Sequence, residues 1–178
     1  MKKLLCLAPL AIVLSGCAAM GTTGASAPAS TSSSGGAAAS PANVATFINR
    51  IETARGSALG MAEKVAVGGA VTETRGLVDG AQQRFVGALS QVSGLDGATV
   101  GALYPPVGAP LSQTETVQKL ESRMGRKLAT PQADAVKAAT ALRNNSLSSL
   151  KSNLAGHVGK TVGLDPEIVE SLMPLVGL

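Results

Sequence analysis

Apolar residues recur at helical spacing in several stretches of the chain. Val44, Phe47, Ile48 and Ile51 follow an i, i+3, i+4, i+7 pattern. With Pro41 near the start and Asn43 or Ser40 as N-cap, they predict a helix from residue 43. Leu59, Ala62 and Val65 are expected to prolong it beyond Gly56, and the Gly68-Gly69 pair to break or bend the chain. Val78, Ala81, Phe85, Leu89 and Val92 predict a second helix from Val71 to Ser93. Ser112-Gln113-Thr114-Glu115 has the form of a capping box, in which hydroxyl and carboxylate satisfy each other's backbone donors. Val117, Leu120, Met124 and Leu128 follow on one face. Thr130-Pro131 reads as N-cap and N1 of a further helix carrying Val136, Ala139, Leu147, Leu150, Leu154 and Val158, which Asn144-Asn145-Ser146 kinks or divides. The proline-rich stretch from Tyr104 to Pro110 cannot be helical. Strand-like alternation never persists, so the pattern predicts an all-α domain over residues 43–178, a small bundle of about five to seven helices.

An internal repeat bears on how those helices are arranged. Residues 94–108 align with 163–177, and eight of the fifteen positions are identical, in the pattern G-L-D-x-x-x-V-x-x-L-x-P-x-V-G. Each copy reads as a short capped helix. Asp96 and Asp165 are the expected N-caps, Pro166 suits N1, and Pro105 and Pro174 are expected to stop each helix. Val100 with Leu103, and Val169 with Leu172, should face inward. Each copy follows a long predicted helix, so the domain is open to a reading as two related helical halves. The bland role of the repeat is a duplicated core unit. The sharper one places a groove for a partner helix or an acyl chain between the short helices, beside the apolar tail Leu172–Leu178.

The start of the chain has a different pattern. Lys2 and Lys3 precede an apolar run from Leu4 to Leu14, too short for the roughly 20 residues that span a bilayer. Leu14-Ser15-Gly16-Cys17 follows, and this segment resembles the lipobox of bacterial lipoproteins. The resemblance implies a signal peptide over residues 1–16, with Leu14, Ser15 and Gly16 recognised by the signal peptidase. It also implies that the Cys17 thiol receives a diacylglyceryl group and its new amino terminus an acyl chain, a combination that anchors stably. No other cofactor is expected. Ala18 stands where an Asp would imply retention in the inner membrane, so the resemblance points to the outer membrane, on its periplasmic face. Residues 17–42 are almost entirely Ala, Gly, Ser, Thr and Pro without charge, which predicts a disordered tether of roughly 25–30 Å reach. Residues 162–178 also weakly resemble the C-terminal helix of small bacterial proteins of the VcgC/VcgE type, a likeness that implies no activity.

Composition narrows the chemistry. The 178 residues include one histidine, two cysteines, no Trp and only 2% aromatics. Those numbers leave too few ligands for a histidine or cysteine metal centre and too few aromatics to stack nucleic-acid bases. The net charge of +4 falls to +2 once Lys2 and Lys3 are removed with the signal peptide, so no nucleic-acid partner is expected. His157 lies near Ser146, Ser148, Ser149 and Ser152, but no G-x-S-x-G elbow accompanies them. Glu52, Glu63, Glu73 and Glu121 read as solvated faces, Glu115 and Asp134 as helix starts, and Glu167 with Glu170 as a pair lacking a partner histidine motif. The expectation is a non-catalytic envelope lipoprotein with a protein partner. A carrier or sensor of a hydrophobic ligand held between the halves is the alternative.

Overall fold

The computed structural model describes residues 41–104 and 110–178. The lipobox segment Leu14–Cys17, the tether up to residue 40 and Pro105 lie outside the described residues. The described residues form six α-helices and a closing 3-10 turn, with no strand among them: α1 Pro41–Arg55, α2 Met61–Ser93, α3 Gly97–Leu103, α4 Gln113–Met124, α5 Thr130–Val162 and α6 Pro166–Leu172, then the turn Met173–Val176. The all-α fold expected from the apolar pattern is the fold observed.

Several local expectations are corrected. The first helix begins at Pro41, which places Asn43 inside it rather than at its cap, and moves the end of the tether two residues back from 42. It stops before Gly56, whose φ of +75° suits a residue without Cβ. Leu59 is buried beyond the helix end, whereas Ala62 and Val65 start the next helix on its exposed side. Gly68-Gly69 does not break the chain. α2 runs through it for 33 residues, because its buried stripe Val67, Val71, Val78 continues on both sides. α5 likewise passes Asn144-Asn145-Ser146 without division and is also 33 residues long. Its N-cap is Ala129 rather than Thr130, with the Gln132 side-chain oxygen accepting from the Ala129 N–H at 3.2 Å. Leu128 is buried but lies past α4, which ends at Met124. Only half the capping box forms: the Ser112 hydroxyl accepts from the Glu115 N–H at 3.4 Å. As expected, α6 stops before Pro174, at Leu172; the chain then continues in the closing turn, and Met173, Val176 and Leu178 are packed into the core.

The duplication extends over the whole domain. α2 and α5 start at 61 and 130 and end at 93 and 162, a shift of 69 residues at both ends. α3 and α6 are related by the same shift, and α1 and α4 end at Arg55 and Met124. Aligned on that shift, residues 41–109 and 110–178 share sixteen identities, half of them in the Gly-Leu-Asp segments, which is why only those segments read as a repeat in the sequence. The turns match closely. Gly56 and Gly125 have φ of +75° and +67°, and Gly94 and Gly163 have +75° and +70°. Glu52 accepts from the Leu59 N–H at 2.8 Å, and Glu121 from the Leu128 N–H at 3.0 Å. These carboxylates therefore tie down the turns after α1 and α4 instead of idling on solvated faces.

The two copies do not form separate halves. α2 and α5 pack together, residues 66–77 beside 150–157 and 81–88 beside 139–146, so the two run antiparallel about an approximate twofold axis. One core cluster combines Phe47, Val67, Val71 and Val78 of the first copy with Leu154, Val158, Val169 and Met173 of the second. The other reverses the roles, joining Phe85, Leu89, Val100 and Tyr104 to Leu120, Leu128 and Val136. Each copy thus completes its core with the other.

Candidate functional site

Sequence alone nominates Cys17, the caps Asp96 and Asp165, and the weak base candidate His157. Cys17 lies outside the described residues. Asp96 caps α3, its Oδ1 accepting from the Thr99 N–H at 2.8 Å while Oδ2 takes the Thr99 hydroxyl at 2.7 Å. These bonds to the charged form hold its carboxyl below the usual range. Asp165 caps α6 through the Glu167 N–H at 2.9 Å. The cap is reinforced by a close approach: a Cβ on Gly159 would lie 2.8 Å from the Leu164 carbonyl oxygen, so α5 meets the start of α6 only through glycine. Both aspartates organise short helices, and neither lines the grooves described next. In the apolar tail that follows α6, Met173, Val176 and Leu178 are buried in the core while Leu175 is exposed.

The structure instead draws attention to the seam between α2 and α5. On one stretch, Ala81, Arg84, Phe85 and Ala88 of α2 face Ala139, Leu142, Arg143 and Ser146 of α5 across a groove of about 270 Å³. A second groove, about 400 Å³, is lined by Ala70, Glu73, Thr74 and Leu77 of α2 with Leu150, Asn153, Leu154 and His157 of α5. The 69-residue shift converts each of these positions in one groove into a position in the other. On α2 and on α5 alike the lining residues recur three or four apart, so both grooves lie along one continuous face of the pair. Leu142 is 69% exposed and Leu77 49%, and both project from that face. Periodicity had marked the buried stripes of these helices. The groove walls share Ala81, Phe85, Ala139, Leu150 and Leu154 with those stripes, whereas the polar members Glu73, Arg84, Asn153 and His157 carry no periodic signal.

Beneath the first groove lies a buried polar network. Arg143 is 3% exposed; its Nε donates to the Gln82 side-chain oxygen at 2.8 Å and its guanidinium stands 5.5 Å from the centre of the Phe85 ring. Gln82 donates onward to the Tyr104 carbonyl at 2.7 Å, and the Tyr104 hydroxyl donates to the Thr116 carbonyl at 2.6 Å. Asn144 exchanges two bonds with the backbone of Leu111, at 2.8 and 3.0 Å. Burial lowers the Arg143 guanidinium from its usual value and pushes the Tyr104 phenol up to about 12. The network ties α2, α5 and the ends of α3 and α4 into one rigid floor.

His157 is exposed in the second groove near Glu73, while Ser148, Ser149 and Ser152 are exposed outside both grooves and Ser146 lines the other one. No group of three or more His, Cys, Asp or Glu side chains among the described residues is arranged to hold a metal ion. No described helix is long and apolar enough to cross a membrane. No family model, curated protein or solved structure matches the chain.

Proposed function

We propose that this chain is a non-catalytic bacterial envelope lipoprotein, held by lipid on Cys17, whose helical domain docks a protein partner through the open face of α2 and α5. The observation that carries the reading is that face. It is continuous along two 33-residue helices, presents Leu77 and Leu142 to solvent, and is stiffened from below by the Arg143 network. A carrier of a hydrophobic ligand needs an enclosed apolar space. Here the exposed Leu142 and Arg84 stand at the rim of the first groove, which favours docking over enclosure. The anchor rests on the Leu14-Ser15-Gly16-Cys17 motif and the absence of Asp at position 18, which together favour the outer membrane.

Two measurements test the proposal. Photocrosslinkers placed at Leu77 and Leu142 in the native envelope should trap protein, and crosslinkers at Thr72 and Ser152, exposed outside both grooves, should not. Equal yields from all four positions would remove the face from the proposal. Separately, Cys17→Ser should abolish acylation and release the chain from membranes. Unchanged mass and membrane association would overturn the anchor.

A further inference from the structure

The docking face has features that select its occupant. Glu73 and Arg84 are both exposed on it, and among the described residues neither has an ion-pair partner. They lie on opposite sides of the centre of α2. The 69-residue shift pairs the two grooves about a centre near Asp79, with Glu73 six residues before it and Arg84 five after. The internal twofold breaks down at these positions: Glu73 corresponds to Leu142, and Arg84 to Asn153. One groove is therefore cationic with a projecting leucine. The other is acidic and has Leu150 and Leu154 in its wall.

We infer that the occupant is a second copy of this chain, packed face to face so that α2 lies antiparallel on α2 and α5 antiparallel on α5. This rests on the docking-face reading above. A twofold axis lying in the face, perpendicular to the helices, sets the cationic groove of one copy over the acidic groove of the other. In that register Arg84 lies level with the partner's Glu73, and the pair occurs twice. Leu142 enters beside the partner's Leu150 and Leu154, while Leu77 settles over the partner's Ala81. The alternative axis, along the helices, would lay α2 over the partner's α5 and set Glu73 level with the partner's Glu73 and Arg84 level with the partner's Arg84, so neither charge would face its opposite and the first axis is favoured. The same sequence unit already pairs with its own duplicate inside the domain, across a twofold and through these same two helices. The result is a four-helix layer with cores on its two outer sides.

Sedimentation of the full-length chain in detergent, over about a hundredfold range of concentration, tests this arrangement. A reversible dimer is expected, with a dissociation constant raised about tenfold or more in Glu73→Arg and in Arg84→Glu and restored in the double reversal. Where a reversed variant loses helicity by circular dichroism, Glu73→Gln and Arg84→Gln carry the same comparison. A chain that stays monomeric, or single reversals that leave the dimer unchanged, overturns the inference. The two readings fail separately. A monomer whose Leu77 and Leu142 crosslinks go to a different protein overturns the second copy and keeps the docking face. A monomer with no crosslinks specific to those positions overturns both.

Discussion

At one end of the α2/α5 pair Phe47, Val71, Thr74 and Met173 occupy the positions that Thr116, Thr140, Arg143 and Tyr104 occupy at the other. All eight are buried. The first end is almost wholly apolar. The second exchanges a large residue for a small one on the first helix of the copy, Phe47 for Thr116, and a flexible residue for a ring after the short helix, Met173 for Tyr104. Volume is roughly conserved across the exchange, as close packing requires. The ring brings a hydroxyl, however, and Arg143 brings a charge, so this end must also satisfy polar groups. The same backbone thus carries two kinds of core, one held by shape and one by shape plus pairing.

The strongest way to break the comparison is to empty the apolar end. Phe47→Ala should lower unfolding free energy by about 4 kcal/mol in denaturant titration, since nothing polar compensates a cavity there. A loss below about 1 kcal/mol would mean that this end is not close-packed. The polar end should answer differently to single and paired changes. Arg143→Met strands the Gln82 oxygen and is expected to cost about 2–3 kcal/mol. Adding Gln82→Leu removes that oxygen but also the donor to the Tyr104 carbonyl, so the double variant should lose about 1 kcal/mol less than the sum of the two single losses. Strictly additive losses would dissolve the network into independent contacts.

Tyr104→Phe is a smaller probe, expected to cost about 1 kcal/mol through the lost bond to the Thr116 carbonyl. It also has a pH signature. The folded phenol titrates at about 12, above the unfolded value of about 10, so its contribution is fully present below pH 10 and is lost as pH rises through 12. Unfolding followed from pH 9 upward should therefore be steeper in the parent chain than in Tyr104→Phe. The smallest effect is reserved for the caps. Asp165→Ala should cost about 0.5–1 kcal/mol and should lower hydrogen-exchange protection in α6 more than in α3.

The residues that disclosed the repeat are those whose chemistry a turn or a cap dictates. A left-handed residue after a helix favours glycine, as at Gly94 and Gly163, and an N-cap favours a short acceptor, as at Asp96 and Asp165. Core positions accept any side chain of suitable volume. Pairs such as Ile51 with Leu120, Phe85 with Leu154 or Leu89 with Val158 therefore diverged while keeping their burial, and the remaining length of the repeat escaped notice. The Gly68-Gly69 pair misled for a related reason. Glycine weakens a helix by about 1 kcal/mol per residue, but the buried stripe of α2 packed along α5 outweighs that local preference.

The sequence by itself determined the class of the fold, the places where helices begin and end with a dedicated residue, and the candidate lipid site, since each depends on chemistry local to a few neighbours. Only the tertiary structure decided that the two copies exchange their cores, that Arg143 is buried with Gln82 and Phe85, and that one face of α2 and α5 stays open. Those outcomes depend on which stripe of a helix meets which neighbour across a separation of about 60–70 residues, and hydrophobic periodicity records that a stripe is buried without recording against what.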